Sequence, residues 1–100
     1  VISNKKLDSP INNLQQLMCI TAEECGELTQ VCMKIMRKYD SLEEVHADKF
    51  SDILTEEAGD VLCMLQLLVQ HNVINETDLQ KSAAKKAAKL KKWSTLFESE

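Results

Sequence analysis

Glycine and proline are nearly missing from this chain, which has two glycines and one proline in 100 residues. So few turn formers, with no run of alternating apolar and polar residues, exclude a domain built of short strands and hairpins. No apolar run approaches the roughly 20 residues of a membrane span, and the polar N-terminal stretch with Lys5, Lys6 and Asp8 lacks the apolar core of a secretory leader. Neither a membrane partner nor export is expected. The four cysteines, Cys19, Cys25, Cys32 and Cys63, show no CxxC spacing and fall in helical segments, which argues against a zinc site and a disulfide framework. Reduced thiols in the cytoplasm suit them. A net charge of −4 speaks against a nucleic-acid polymer as partner. With four aromatic residues the core will be thin, so the expectation is one domain over 1–100, with 1–8 a flexible lead, helped by a second subunit.

What the chain does have is helical periodicity. Asp8-Ser9-Pro10 reads as a cap followed by proline at the first helical position, opening a helix from Pro10 to Lys38. Tyr39-Asp40-Ser41 breaks it, and Ser41-x-x-Glu44 is a capping box for a short turn of helix. A second long helix is expected over Asp48–His71. Asn72–Asn75 forms the next break, with Asn75 as cap, and a last helix over Glu76–Leu96 carries Leu79, Ala83, Ala87, Leu90, Trp93 and Phe97 on one face. The fold expected is all-α: an antiparallel bundle of three long helices plus one short helix, enlarged by oligomerisation.

One acidic signature occurs twice, as Glu23-Glu24-Cys25-Gly26-Glu27-Leu28 and Glu56-Glu57-Ala58-Gly59-Asp60-Val61. On a helical wheel Glu24 falls inside the apolar arc of Leu14, Leu17, Ile20, Thr21, Cys25, Leu28, Val31, Cys32 and Ile35, Glu27 at its edge and Glu23 further out. The second copy repeats this, with Glu57 inside the arc, Asp60 at its rim and Glu56 beyond. An ionised carboxylate on a buried stripe is costly unless a cation faces it. In an antiparallel pair Glu27 lies about 17 Å from the end of the first helix and Glu57 about 12 Å from the start of the second, so the clusters come nearly level and can close on one divalent metal. The backs of these helices carry Cys19, Ala22, Gly26, Met33, Gly59 and Cys63 where a solvated helix would carry charge. Mid-helix glycine costs about 1 kcal/mol against alanine, so a neighbouring backbone is expected there, most simply in a homodimer or homotetramer.

Glu24-x-x-Glu27 and Glu57-x-x-Asp60, each in an EE-x-G-[E/D] context, resemble the MazG-like branch of the all-α nucleoside triphosphate pyrophosphohydrolases over about Leu14–Trp93. The resemblance implies hydrolysis of an NTP or dNTP to the monophosphate and pyrophosphate, with Mg²⁺ held by Glu24, Glu27, Glu57 and Asp60. Hard carboxylate oxygens suit Mg²⁺ or Mn²⁺. Glu23 and Glu56 are candidates to orient the attacking water, or else are solvated acids. For the phosphates the wheel places Lys86 inside the apolar arc of the last helix and Lys89 at its edge, and Lys34 and Lys38 share the side of Glu27. The stretch Lys89-Leu90-x-Lys92-Trp93 resembles the phosphate-facing region of the family but lacks its Asn and Arg. Two other readings compete. A non-catalytic oligomerisation or adaptor module would use the acids as a structural metal site, and Glu43-x-x-His46 is half of a di-iron pattern whose second half is missing, since Leu68 precedes His71 by three.

Overall fold

Two side chains set where helices start. Asn75 Oδ1 accepts from the Asp78 amide at 3.0 Å, and Ser41 Oγ accepts from the Glu44 amide at 3.3 Å; each satisfies a donor that a helix start leaves orphaned. The computed structural model describes residues 10–96, and among these it holds four helices and no strand: α1 (Pro10–Lys38), α2 (Leu42–Ala47), α3 (Phe50–Gln70) and α4 (Glu76–Trp93). The all-α class and the element order are as the periodicity predicts. The Asp8-Ser9 cap, the lead over 1–8 and Phe97 lie outside the described residues.

Three local details differ from expectation. At Ser41 the Glu44 carboxylate accepts from the serine hydroxyl, at 3.2 Å to Oε2, where a capping box has it accept from the Ser41 amide. The third helix starts at Phe50, since Lys49 takes a left-handed conformation (φ 60°) and its amide donates to the His46 carbonyl. The last helix ends at Trp93 rather than Leu96. Ser94 is extended there, and its hydroxyl accepts from the Leu96 amide at 3.1 Å.

The chain divides into two compact units, Val1–Leu67 and Leu68–Glu100. In the first, Leu17 and Val31 on α1, Val45 on α2 and Met64 on α3 are buried; Met64, the most enclosed, keeps 6% exposure. Thr21 sits on the same arc of α1 and quiets its hydroxyl by donating to the Leu17 carbonyl at 2.6 Å. Where α1 gives way to α2, the Tyr39 and Phe50 rings meet at 5.6 Å, and the Tyr39 hydroxyl donates to Asp48 Oδ2 at 2.8 Å. Burial, then this bond, pushes the Tyr39 hydroxyl above its ordinary pKa.

The second unit opens on buried Leu68. Asn72 (φ 62°) closes the helix that precedes it, with the Val73 amide reaching back to the Leu68 carbonyl at 2.9 Å and the Asn72 amide to Val69 at 3.0 Å. This is a Schellman closure with asparagine in the place glycine usually takes. No residue of α4 is buried. Among the described residues no helix is long and apolar enough to cross a membrane.

Candidate metal centre

The repeated signature lies wholly inside the first unit, one copy at mid-α1 and the other at mid-α3. Glu24, Glu57 and Asp60 each offer a carboxylate oxygen, and these oxygens all lie within 4.8 Å of one another. Among the described residues they form the one group of three or more such ligands. Glu24 and Glu57 are half-buried and Asp60 is exposed, in the order the wheel gives. Glu57 Oε1 is shut off from solvent and has no hydrogen-bond partner.

The electrostatics follow from this crowding. Burial first, then the charges of Glu27, Asp60, Glu57 and Glu23, hold the Glu24 carboxyl above its ordinary pKa. Glu57 is raised likewise, first by burial and then by Glu27, Asp60 and Glu56. Two carboxyls that resist ionisation beside a third are what a divalent cation would relieve, and carboxylate oxygens suit a hard ion such as Mg²⁺.

The other expected site residues are less gathered. Glu27 is exposed and outside the group of three, though its charge is felt by both Glu24 and Glu57. Glu23, expected further out than Glu27, is half-buried while Glu27 is exposed, so on α1 the wheel's order of these two is reversed. The arc residues Leu14, Cys25 and Cys32 are exposed as well, and Glu56 is exposed as expected. Lys38 lies 5.5 Å above the Tyr39 ring and, with Lys34, Arg37 and Phe50, lines an open cavity of about 350 Å³. Arg37 and Phe50 were missed as cavity residues by sequence reasoning. The signal for Arg37 was the run of basic residues in the last turn of α1.

Lys86 corrects the wheel. It is exposed, not buried on the apolar arc, and its ammonium lies 5.2 Å over the Trp93 ring, itself 65% exposed. Seven residues place the two on one face, and an exposed indole attracts a cation without desolvating it. Lys89 is exposed as well. His46, the half of the di-iron pattern, has its Nδ1 3.0 Å from Ser51 Oγ. A Cβ added at Gly26 or Gly59 would meet nothing within 4 Å, so neither glycine serves a close approach within this chain.

No protein-family model matches the chain, and neither does any curated protein or any solved structure. The functional reading rests on the residues and their geometry.

Proposed function

We propose that this chain is a Mg²⁺-dependent nucleoside triphosphate pyrophosphohydrolase of the MazG-like kind, with Mn²⁺ as an alternative metal. The observation that carries the reading is the convergence of Glu24, Glu57 and Asp60, together with a buried, unpartnered oxygen on Glu57. An orphaned buried carboxylate oxygen costs stability unless a ligand supplies the missing charge.

Glu24, Glu57 and Asp60 would hold the cation, with Glu27 adding negative charge from the rim. Such an ion, when bound, neutralises charge developing on the phosphates and acidifies a bound water. Glu23 and Glu56, which precede Glu24 and Glu57 in the two copies, orient the attacking water. Its oxygen bonds to the α-phosphorus, the α–β bridging bond breaks, pyrophosphate departs with the electron pair, and the water's proton passes to a carboxylate. Lys38 with Lys34 and Arg37 supplies cationic charge for the triphosphate.

α1 and α3 form the antiparallel pair of a helical bundle. Its support is that the end of α1 meets the start of α3 at Tyr39 and Phe50, while Glu24, back along α1, meets Glu57, forward along α3. The bundle assembles as a homodimer or homotetramer in the cytoplasm, where its free thiols stay reduced. The test is release of pyrophosphate from natural and deoxy triphosphates, in Mg²⁺ and then in excess EDTA. No turnover across the set sinks the enzymatic reading.

A second reading, a non-catalytic oligomerisation module with a structural metal, is favoured by how little is buried: among the described residues, Leu17, Val31, Val45 and Met64 in the first unit and Leu68 in the second are the buried apolar side chains. Mg²⁺ binding without turnover selects it.

A further inference from the structure

Three cations crowd the end of α1. Lys34, Arg37 and Lys38 are all exposed and, with half-buried Phe50 from the start of α3, line one open cavity of about 350 Å³. Like charges three and four residues apart on a helix repel, and among the described residues no carboxylate forms an ion pair with Lys34 or Arg37. Basic side chains in a last turn do offset the helix dipole, but that effect fades within the turn. Lys34 lies before the last turn, in which Arg37 and Lys38 stand. The cavity therefore holds more positive charge than the helix end requires.

The helical period sets its place relative to the carboxylates. Lys34 follows Glu27 by seven residues and Phe50 precedes Glu57 by seven, so each lies two turns on, about 10 Å, on nearly the same side of its helix. Lys38, eleven residues beyond Glu27, keeps that direction too. Both helices belong to the first unit, and the step from carboxylates to cavity is the same along each.

The chemistry of the lining selects what enters. Lysine and arginine are donors without an acceptor, so the cavity suits a phosphate, which offers acceptors and negative charge, and not the mixed edge of a nucleobase. Phe50, the ring on which a base could stack, already meets Tyr39 at 5.6 Å. Tyr39 is tied through its hydroxyl to Asp48 and carries the Lys38 ammonium 5.5 Å over its ring, which fixes where that charge sits.

We infer that this cavity seats the terminal phosphate, so that a bound triphosphate lies with its tail toward the end of α1 and its nucleoside toward the opposite end of the helix pair. The inference rests on the pyrophosphohydrolase reading and adds the direction of the substrate and the residue that tells three phosphates from two. Three phosphates, met by a long basic side chain, cover the two turns between the carboxylates and the cavity; two stop one phosphate short. Arg37 is the specificity residue, because its planar fork can give two parallel hydrogen bonds to one phosphate, with Lys34 and Lys38 as point charges beside it.

The test is calorimetric binding of inorganic tripolyphosphate and pyrophosphate to the full chain in Mg²⁺. Wild-type protein should hold tripolyphosphate about tenfold or more tighter than pyrophosphate, as one added charge-assisted contact gives. Arg37→Met should bring that ratio to roughly threefold or less, and Arg37→Lys, which keeps the charge and loses the fork, should fall between. Lys34→Met should lower the ratio as well, and Lys85→Met on α4 should leave it unchanged, with helicity by circular dichroism retained throughout. A wild-type ratio near one overturns the seat, as does a ratio that survives both Arg37→Met and Lys34→Met, the result expected if the cavity took the base. An equal loss in Lys85→Met reduces the effect to bulk charge and overturns it too. Anion binding as stated without turnover of any triphosphate removes the enzymatic reading and leaves the phosphate seat; turnover with the ratio unmoved by Arg37→Met does the reverse.

Discussion

The two copies of the acidic signature share the pattern Glu-Glu-x-Gly-acid and are unequal in the fold. From the copy on α3 both Glu57 and Asp60 enter the group of three carboxylates, whereas from the copy on α1 only Glu24 does. Asp60 and Glu27 hold equivalent places at the edge of their helices' apolar arcs, and both are exposed. The difference is one methylene. A short aspartate keeps its carboxylate near the backbone, while a glutamate at the rim can extend into water, where its charge is best solvated. The asymmetry teaches that three residues of the repeated motif build the centre and the fourth tunes it by charge alone.

The largest expected effect tests the inner pair. Glu24→Gln and Glu57→Gln should each lower Mg²⁺-dependent pyrophosphate release by at least about a hundredfold, more than loss of an outer-shell partner costs a metal site, with helicity retained. Glu57→Gln should also raise the melting temperature of the metal-free chain, because it removes the charge from a buried oxygen with no partner. Near-normal turnover in either variant removes the assignment.

Next comes the rim. Asp60→Asn should approach the inner variants, whereas Glu27→Gln should cost roughly tenfold or less, since it removes a charge and not a ligand. Equal losses would show that the two copies act alike once metal is bound.

A smaller effect concerns pH. Glu24 and Glu57 are raised above the ordinary value of 4.5, so the fold disfavours their ionised forms. Below that value both are protonated, folded or unfolded, and no penalty applies. As pH rises through the raised folded values, ionisation costs the native state, and stability of the metal-free chain falls. Mg²⁺ favours the ionised forms, so its stabilising shift in Tm should grow between pH 5 and pH 8. A shift of the same size at both ends would break the link between these carboxyls and the metal.

The smallest effect is expected among the cations. Lys38→Met should reduce turnover about tenfold, as loss of one charge-assisted contact does. Lys86→Met should cost roughly threefold or less, because its charge already rests on an exposed indole. Lys85→Met serves as the exposed control, and steady-state kinetics that rank Lys86 above Lys38 would reverse the order.

Much of this was legible beforehand because it depends on local rules. The α1 bounds, the caps at Ser41 and Asn75 and the break at Asn72 follow from hydrogen bonding within a few residues. That Glu24 and Glu57 lie deeper than Glu27 and Asp60 follows from the 3.6-residue period, which is a property of the helix and not of its neighbours, whereas half-buried Glu23 does not follow it. The same period misplaced Lys86, because a wheel gives a direction and says nothing of whether a wall stands there.

By itself the sequence determined the helices, their ends and the doubled acidic motif, since backbone hydrogen bonding and side-chain period act over a turn or two of chain. Only the tertiary structure decided that Glu24 meets Glu57 and Asp60 while Glu27 stays apart, that Glu57 Oε1 is sealed without a donor, and that Arg37 and Phe50 share a cavity with Lys34 and Lys38. Those outcomes turn on distances between residues far apart in the chain, and a difference of one methylene or a few ångströms there separates a ligand from a bystander.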